Sequence, residues 1–575
     1  MKKLVPILLC CCLLASCGAP SASEGPDTPP ETPVSTPGEQ QNATQPEPPP
    51  TPETVELEDF SLMEGIQLDQ LGYRPSDPKI AVVPAETLEF RVVRLTDGAS
   101  LLKGETGAPI FSAASLETVR LADFSALTEA GEYSVVTPDG KSHPFVISDN
   151  PYTELRKATL DFFECQKCGV ALDLGVWSHA PCHTTPAAVL DADGKPTGVE
   201  LDVSGGWHDA GDYGRYIVPA AQTVAQLLMG YEMSPNPDED VLSVTWFEIE
   251  WMLKMQDAET GGVYHKVSCK NFNALDQMPD KETAQLVICP VSATATADFA
   301  AAMALASRFY PEQSETLLSA ARRAWDWCLA NPDAPGFKNP IGVVTGEYGD
   351  SSSSDERFWA ACELFAATGD ETCHEYIKNA NTQTGLGWQQ MGTFGIAAYL
   401  FQAGDKADPD VTERLRSRLI GSARSILDSC ETDPYGISLG TNYYWGCNMA
   451  VGNNAMTLLL ADRLEPDEAY QKAALEHMHY LLGKNALNQS YISGFGEKAM
   501  QNPHHRLSVA VKATVPGMVA GGPNADTSQD PKLNATRAGE PPMKCYIDDI
   551  ESYASNEITI YWNSPVYFVL AALGM

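Results

Sequence analysis

Residues 205–214 read Gly-Gly-Trp-His-Asp-Ala-Gly-Asp-Tyr-Gly, and an apolar segment follows them at residues 217–228. Pro219 is typical of a helix start, because proline in the first turn forfeits no hydrogen bond that the helix needs. We therefore expect Asp209 and Asp212 on a tight loop that faces the beginning of this helix. The positive end of a helix dipole favours ionised carboxylates, which a general base requires. On its own, the segment also fits an Asp-Gly turn with two capping acids.

Helical periodicity dominates the chain from residue 152 onward. Apolar residues recur there at intervals of three and four, with hardly a convincing strand between the helical segments. About a dozen consecutive helices favour an all-α toroid over an α/β enzyme. The loops between them are long, and long ordered loops on a rigid scaffold usually carry function. The predicted helices cover residues 152–165, 219–231, 241–255, 293–309, 315–330, 355–367, 391–402, 411–430, 449–464, 466–482 and 564–573.

A smaller β-rich region precedes the helices. Residues 79–83 and 132–136 have the composition of short strands, and Asp139-Gly140 supplies a turn. Strands of this kind predict an immunoglobulin-like (Ig-like) sandwich at residues 59–149. No catalytic grouping is found in it, so we expect it to brace the domain at residues 150–575.

Residues 1–17 have the features of an export signal. The apolar run at residues 4–15 is too short to span a bilayer. It ends in Leu-Ala-Ser-Cys, which resembles the lipobox of bacterial lipoproteins, in which Cys17 would be acylated; an ordinary signal peptide is the alternative. Residues 18–58 are rich in Pro, Thr and Ser and predict an extended linker. We expect an exported protein, either a cell-surface lipoprotein that contacts the membrane only through a lipidated Cys17 or a secreted protein.

The net charge limits the expected partners, and the number of cysteines bears on whether disulfides are expected. A formal net charge of −38 argues against nucleic acid and anionic membrane surfaces as partners and suits a neutral substrate. Eleven cysteines follow Cys17, an odd number without regular spacing, so no disulfide framework is implied. Most of them fall in helical patterns and are expected to be buried thiols. We expect a monomer.

Two further loops complete the candidate site. Residues 490–506 run from Ser-Tyr-Ile-Ser-Gly-Phe-Gly to Asn-Pro-His-His-Arg, and residues 546–564 contain Tyr-Ile-Asp-Asp and Ser-Tyr-Ala-Ser-Asn-Glu. With residues 205–214, these loops resemble the catalytic domain of glycoside hydrolase family 9 over residues 152–575. Residues 67–75 resemble the Ig-like module that precedes this domain in some members. The resemblance implies an all-α (α/α)6 barrel behind a small all-β sandwich.

Asp212 and Glu557 are the candidates for the base and the acid of glycosidic bond cleavage. Cleavage with inversion needs an ionised base that activates water and a protonated acid on the other face of the sugar. Asp212 lies in a polar, Gly-rich loop, whereas the apolar residues that follow Glu557 are expected to raise its pKa. The resemblance implies that Asp212 is the base, that Asp209 helps to hold the water, and that Glu557 is the acid.

The resemblance also assigns four supporting residues. His504 and Arg506 are implied to contact substrate next to the cleavage point, where an imidazole and a guanidinium can hold sugar hydroxyls. Asp548 matches an acidic position of the catalytic group, from which we expect support rather than proton transfer; pairing with Arg506 is also open. Trp562 matches an aromatic position that stacks on a sugar. The aromatic residues that could line the same cleft or belong to the core are Tyr264, Trp388, Tyr443, Tyr444 and Trp445.

Cysteine and histidine residues occur within and upstream of the first loop. The set comprises Cys168, Cys182, His183 and His208. Two thiolates and two imidazoles complete a tetrahedral zinc site, which is structural because no position stays open for water. A similar set binds zinc in family members that carry the Ig-like module, and this zinc would pin the base-bearing loop. Cys165 is a competing first ligand, and unligated buried thiols are the alternative.

Residues 346–360 resemble a calcium site of the same family. Ser351, Asp355 and Glu356 are the matching positions, and carboxylates and loop carbonyls are the hard oxygen ligands that calcium takes. A helix cap at Ser354, with acids in the first turn, explains the same residues. A structural calcium and a simple cap both stay open.

The sequence therefore predicts an inverting glycoside hydrolase that cleaves internal β-1,4-glucosidic bonds of cellulose or related β-glucans. Activity on mixed-linkage glucan or xyloglucan, or exo-cleavage of oligosaccharides, is the alternative within the class. A non-catalytic surface glycan-binding protein is disfavoured because Asp209, Asp212 and Glu557 are all intact. A zinc-dependent hydrolase is a third interpretation.

Overall fold

A computed structural model describes residues 53–381 and 383–575. The predicted signal peptide, Cys17 and most of the predicted linker lie outside these residues. A β-rich module comes first in the described chain, and a larger helical domain follows it. Within the described residues, no helix is both long and apolar enough to cross a membrane.

Short strands build the N-terminal module as two sheets around one core. The strands are β1 (Gly72–Tyr73), β2 (Ile80–Pro84), β3 (Glu89–Arg94), β4 (Ser100–Glu105), β5 (Ile110–Ser112), β6 (Glu117–Asp123), β7 (Gly131–Thr137), β8 (Gly140–Lys141) and β9 (Phe145–Ile147). One sheet has the order β1-β9-β7-β3-β4, with β8 paired to β7, and the other has the order β2-β6-β5. Ala81 and Val83 face the core of this module, whereas Val82 packs into the core of the helical domain. The apolar run in β2 is therefore continuous because both of its faces are covered.

The helical domain contains long helices joined by long loops. Its helices are α1 (Thr153–Cys165), α2 (Ile217–Met233), α3 (Asp240–Lys254), α4 (Ala293–Ala306), α5 (Ser314–Ala330), α6 (Ser354–Thr368), α7 (Glu371–Asn379), α8 (Gly392–Gln402), α9 (Pro409–Thr432), α10 (Cys447–Leu464), α11 (Glu468–Leu481), α12 (Arg506–Val511), α13 (Pro531–Arg537), α14 (Tyr553–Asn556) and α15 (Ile560–Ala572). Helix α7 is absent from the sequence prediction, because its nine residues give too few turns for a clear period.

Burial divides the long helices into two sets. Helices α2, α4, α6, α8, α10 and α15 are buried over most of their surface, whereas α1, α5 and α9 bury one apolar face. The buried set packs in the order α8-α6-α4-α2-α15-α10, and α3, α5, α7, α9 and α11 pack against its members. A helix that is apolar all round needs neighbours on every side, which this double layer supplies.

The helical domain also contains a sheet of five strands, contrary to the expectation of an all-α domain. The strands are β10 (Ala187–Leu190), β11 (Pro196–Leu201), β12 (Arg215–Tyr216), β13 (Lys266–Ser268) and β14 (Val287–Ile288). Their order is β11-β10-β14-β13-β12. Strands this short show no alternating pattern in the sequence. Because β12 leads into α2, the helix begins at Ile217, two residues before Pro219.

Buried polar contacts join the module to the helical domain. Asp69 Oδ2 lies 2.8 Å from His479 Nδ1, and both side chains are buried. Gln70 Nε2 donates to the carbonyl oxygen of Asn488 at 2.8 Å, and Gln70 Oε1 accepts from the backbone N–H of Lys498 at 2.8 Å. Separating the two domains would leave these groups unpaired, which is costly for buried polar atoms.

Candidate active site

An open cleft of about 630 Å³ lies where the three predicted loops meet. Its lining side chains are those of Asp209, Asp212, Tyr216, Phe272, Glu347, Tyr348, Trp388, Trp445, His504, Arg506, Tyr553, Glu557, Thr559, Tyr561 and Trp562. Every residue predicted to be catalytic or to bind substrate therefore lines one cleft, with the exception of Asp548. The loops that precede β12, α12 and α15 converge through backbone contacts: the N–H of Arg506 donates to the carbonyl oxygen of Gly211, and His504 pairs with Glu557.

Asp209 and Asp212 are buried on the loop that precedes β12. Asp212 Oδ2 accepts a hydrogen bond from the N–H of Gly214 at 3.1 Å. Asp209 Oδ2 accepts one from the hydroxyl of Tyr348 at 2.5 Å, and its Oδ1 has no partner among the described residues. Burial raises the pKa of Asp209 well above its ordinary value; the Tyr348 hydrogen bond opposes this, and the charge of Asp212 adds to it. Asp209 therefore holds a proton more readily than an exposed aspartate does.

Glu557 reaches the cleft from the segment just before α15. Its backbone pairs with that of His504 in a parallel bridge, and its carbonyl oxygen accepts from the N–H of Gly521 at 2.9 Å. Burial raises the pKa of Glu557 well above its ordinary value, and the charge of Asp212 raises it further, whereas Arg506 opposes the shift. The predicted direction of this shift is confirmed. A carboxyl group that keeps its proton in this way can act as a general acid.

The two carboxyl-bearing segments touch at Gly211. Its carbonyl oxygen accepts from Arg506 twice, from the backbone N–H at 3.0 Å and from Nη1 at 2.9 Å. A Cβ atom at Gly211 would lie 2.0 Å from the carbonyl oxygen of His504, so this contact requires glycine. Arg506 also donates to the carbonyl oxygen of Asn273 at 3.2 Å and lies 5.6 Å above the ring of Phe272. These contacts fix the guanidinium at the edge of the cleft.

Asp548 supports the loop that carries His504. Its carboxylate accepts from the backbone N–H groups of Gln501 at 2.8 Å and Asn502 at 2.7 Å. It also accepts from Nδ2 of Asn556, the residue before Glu557, at 3.1 Å. These bonds go to the loops of the acid side, so the alternative of pairing with an arginine is not realised.

His504 is held in one orientation. Its Nδ1 lies 2.7 Å from the carbonyl oxygen of Ile550, which can only accept, so Nδ1 carries the proton. Burial lowers the pKa of His504 and favours the neutral ring. In the neutral ring Nε2 is a hydrogen-bond acceptor, which suits a sugar hydroxyl.

Aromatic side chains form much of the remaining wall. Trp562, Trp388 and Trp445 line the cleft, whereas Tyr443 is buried in the core. The ring of Tyr553 lies 5.5 Å from that of Trp445. Clefts lined by aromatic rings, with a few well-placed polar groups, are typical ligand sites.

The predicted zinc ligands lie together next to the base-bearing loop. The converging atoms belong to Cys168, Cys182, His183 and His208, which are all buried and lie within 4.8 Å of one another. Cys168 Sγ lies 3.6 Å from His183 Nδ1, and Cys182 Sγ lies 3.8 Å from His208 Nε2. Bonds of about 2.0–2.3 Å to a tetrahedral zinc place its ligand atoms at roughly these separations, so the donor set fits zinc. Cys165, the competing ligand, is outside this group.

The predicted calcium residues form a looser group. Glu356 and Asp298 are fully buried, and none of their carboxylate oxygens has a hydrogen-bond partner among the described residues. Burial raises the pKa of both groups well above the ordinary range, and the charge of Asp355 adds to this. Asp355 Oδ2 accepts from the N–H of Met391 at 2.7 Å, and Ser351 is exposed. Within the described residues, these side chains do not converge as the Cys/His group does.

The predicted cap at Ser354 is wrong, whereas the predicted acids, Asp355 and Glu356, do lie in the first turn of α6. The helix begins at Ser354, and its N-cap residue, Ser353, makes no side-chain capping bond. Ser353 Oγ instead accepts from Arg357 Nε at 2.9 Å. The capping interpretation therefore leaves the buried carboxyl groups unexplained.

Three residues of the site escape the sequence analysis. Tyr348 contacts Asp209 across 139 positions of sequence from a loop without periodicity. Glu282 Oε2 lies 3.0 Å from His183 Nε2 and would orient that ring on a metal. Asp298 lies in an otherwise apolar stretch of α4, where a lone acidic residue is the available signal.

Comparison with known proteins covers both domains. The model of glycosyl hydrolase family 9 matches residues 152–570, and the model of the cellulase N-terminal ig-like domain matches residues 63–142. The chain is 35% identical over 555 residues to a cellodextrinase of Butyrivibrio fibrisolvens, covering 89% of this chain and 100% of the relative. It is 33% identical over 549 residues to endoglucanase D of Acetivibrio thermocellus, covering 89% and 84%.

A solved structure has the same fold over nearly the whole of its length. It is the crystal structure of a single mutant of a thermostable endoglucanase from Alicyclobacillus acidocaldarius. The TM-score is 0.83 at 38% sequence identity, with 89% of this chain and 99% of that chain covered.

Proposed function

The chain belongs to glycosyl hydrolase family 9, and on that premise we propose that it is an inverting endo-β-1,4-glucanase that acts on cellulose or related β-glucans. The observation that carries the proposal is the pairing of Asp212 with Glu557 in one cleft. The raised pKa of Glu557 suits an acid that must hold its proton until the bond breaks. Asp212 lines the same cleft, and its Oδ2 accepts a hydrogen bond from the backbone N–H of Gly214 at 3.1 Å, which holds the carboxyl group in place.

The proposed reaction consumes one water molecule. Asp212 takes a proton from the water as its oxygen attacks the anomeric carbon, and Glu557 donates its proton to the leaving glycosidic oxygen. Asp209, whose orientation is fixed by Tyr348, is the second hydrogen-bond partner of the same water. Solvent exchange then restores the proton on Glu557 and removes the one on Asp212. A β-linked chain gives an α-anomeric product, because the water attacks from the face opposite to the leaving group.

The remaining cleft residues support a neutral sugar chain as the substrate. Arg506 and His504 offer a donor fork and an acceptor nitrogen for sugar hydroxyls, and Trp562 offers a ring face. The three relatives described above are a cellodextrinase and two endoglucanases, which supports a β-glucan as the substrate. Cleavage within the chain and cleavage at its end differ in product pattern, so the experiment below also separates these two.

The helical domain is proposed to be an (α/α)6 barrel. The support is the double layer of helices, in which six buried helices pack in sequence and the outer helices cover them. The active cleft would then lie at the end of the barrel where the loops before α2, α6 and α15 meet.

Zinc is proposed as a structural ion of the enzyme. Cys168, Cys182, His183 and His208 would hold it, and a bound zinc would fix the position of the loop beside Asp209. His208 precedes that aspartate directly, and its backbone N–H donates to the carbonyl oxygen of Gln166 at 2.7 Å. With four protein ligands, the zinc would stabilise the fold and would leave no open position for an activated water.

Calcium is proposed at the acidic group under α6. Glu356 and Asp355 are the predicted ligands, and the unpartnered carboxylate of Asp298 is an additional one. Buried carboxyl groups without hydrogen bonds are costly and are usually paired with cations or protonated. Ser351 would have to turn inward to join them.

Export and lipidation of Cys17 remain proposals from the sequence. The expected form is a lipoprotein tethered by residues 18–58. Substitution Cys17→Ala in the full-length chain, expressed in a bacterial host fed with labelled palmitate, should abolish incorporation of the label. Label retained in the variant would contradict the anchor.

The test of the enzymatic proposal is proton NMR of the enzyme with cellohexaose. We expect the α-anomer of cellobiose, cellotriose and cellotetraose to appear first, and we expect Glu557→Gln to lower turnover about 10²–10⁴-fold. Fresh β-anomer would overturn the roles of Asp212 and Glu557. Release of glucose or cellobiose alone would replace the endo assignment by an exo one. Turnover of xyloglucan or mixed-linkage glucan, without turnover of cellohexaose, would keep the mechanism and change the substrate.

A further inference from the structure

Tyr348, which donates to Asp209, lies on a segment without regular secondary structure. Its φ of 46° is in the left-handed region, which is uncommon for a residue with a side chain. Helix α6 begins six residues later, at Ser354, so no helix or strand sets the position of the phenol. Side chains from elsewhere must therefore hold residues 345–348 in place.

The strand β13 and the residue before it supply those side chains. Lys266 Nζ donates to the carbonyl oxygen of Gly346 at 2.5 Å, to that of Thr345 at 3.2 Å, and to Oγ1 of Thr345 at 3.0 Å. Ser268, two residues on and therefore on the same face of the strand, lies 2.8 Å from Thr345 Oγ1. His265 Nε2 donates to the carbonyl oxygen of Glu347 at 2.9 Å. Three side chains of one short stretch thus hold three successive residues that lead to Tyr348.

Lys266 is unusual in its surroundings. It is fully buried, and within the described chain its ammonium donates to carbonyl and hydroxyl oxygens rather than to a carboxylate. Burial lowers its pKa to about 8, and the thiol of Cys289 and the carboxylates of Asp212 and Glu347 oppose this. A buried ammonium is expensive, so its hydrogen bonds to the segment must compensate for the lost hydration.

Lys266 also contacts the wall of the cleft. Its Nζ lies 5.2 Å above the ring of Tyr216, and that ring lies 5.0 Å from the ring of Tyr348. Tyr216 belongs to β12, which pairs with β13 and follows directly on the loop of Asp212. The lysine therefore contacts both segments that position the two aspartates.

We propose that Lys266 is a positioning residue for the base side of the active site, acting through the segment 345–348 to hold the phenol of Tyr348 on Asp209. This inference rests on the proposed function, because its consequence is a loss of turnover in the proposed hydrolysis. Lys266 itself is not among the residues that line the cleft. Its loss should therefore reduce kcat and leave substrate binding nearly unchanged.

The test is a double-mutant cycle with Lys266→Met and Tyr348→Phe, assayed on cellohexaose. Each single variant is expected to lower kcat about 10- to 100-fold, the range that a displacement of ~1 Å at a reacting centre can cause. The value of KM should change less than about threefold. The double variant should be no slower than the slower single variant, because both changes break one chain of contacts.

Lys270→Met is the matched control. Lys270 lies just beyond the same strand and donates to the carbonyl oxygen of Gly194 at 3.1 Å, away from Tyr348. Its kcat should stay within about twofold of the wild type. If Lys266→Met does not fold, Ser268→Ala loosens the same segment with an expected loss of about two- to fivefold, again non-additive with Tyr348→Phe.

The outcomes separate this inference from the function on which it rests. Multiplicative losses in the double variant, or a folded Lys266→Met with wild-type kcat, would overturn the positioning role. A wild-type enzyme without activity on any β-glucan would overturn the proposed function instead. Equal losses in Lys266→Met and Lys270→Met would show a general effect of removing a lysine and would also count against the inference.

Discussion

The two sides of the cleft hold their carboxyl groups by different means. On the base side, the carboxyl group of Asp209 depends on the side chain of Tyr348 from a distant part of the chain, and the Cys/His group lies beside the same loop. On the acid side, Glu557 depends on backbone pairing with His504. The loop that carries His504 is held in turn by hydrogen bonds from its backbone N–H groups to the carboxylate of Asp548. Long-range side-chain contacts make the base side sensitive to single substitutions far from it. Backbone pairing makes the acid side sensitive to nearby loop changes.

The largest effect is expected when either carboxyl group is neutralised. Glu557→Gln removes the transferable proton and Asp212→Asn removes the base, so each should lower kcat by about 10²–10⁴-fold. Circular dichroism melts should show that both variants stay folded. If either variant retained most of its activity, the carboxyl group changed in that variant would not have its proposed role, and its side of the cleft would not supply the acid or the base.

The second prediction concerns the Cys/His group on the base side. Cys182→Ser removes one of four ligands and should release zinc, with a loss of unfolding free energy of at least ~3 kcal/mol. Zinc content by atomic emission and unfolding in guanidinium chloride would measure both effects. Cys165→Ala is the control, because that thiol lies outside the group. Zinc lost from the control and kept in Cys182→Ser would reverse the ligand assignment.

A smaller effect is expected on the acid side from Asp548→Asn. An amide keeps one acceptor oxygen and so loses part of the support for Gln501 and Asn502; kcat should fall about 10-fold, with a melting temperature close to that of the wild type. Asp549→Asn is the matched control, because Asp549 pairs with Lys532 instead. Equal activity in the two variants would contradict the supporting role of Asp548.

The smallest effect concerns the coupling between the two sides. The charge of Asp212 contributes to the raised pKa of Glu557, so Asp212→Asn should lower that pKa toward the ordinary value. Carbon NMR titration of the Glu557 carboxyl group would measure this. The sign also fixes the pH profile: Glu557 must be protonated, so activity is present below its pKa and is lost as pH rises through it. A pKa unchanged in Asp212→Asn would mean that burial and Asp209, rather than the charge of Asp212, raise it.

The sequence predicted the functional site best where residues that serve the same reaction lie close together in one loop. The family, the two-domain plan and the residues that meet in the cleft could be predicted from Asp209, Asp212, His504, Arg506 and Glu557 with their neighbours. Their roles stay predictions until the variants above are measured. The Cys/His group could be predicted because its four residues match a zinc-binding set of the family; the structure brings them together, and the bound zinc stays a prediction.

What the sequence did not predict has physical causes. Strands β12 and β13 are two and three residues long and give no period, so the sheet beside the site was missed. Tyr348 and Lys266 act through tertiary contacts that no local pattern encodes. The acidic group of Asp298 and Glu356 is invisible in sequence because its members lie on α4 and α6, which meet only in the folded core.

The buried contact between Asp69 and His479 has a consequence for protein engineering. Removing the Ig-like module would leave His479 facing a void and would strip the N–H of Lys498 and the carbonyl oxygen of Leu482 of their partners. When catalytic domains are exchanged between homologous enzymes, the Ig-like module should therefore be transferred together with the helical domain. The junction should lie before residue 53. Calorimetry of this two-domain unit should record a single unfolding endotherm. The reason is that each domain alone would expose buried polar groups whose partners lie on the other domain.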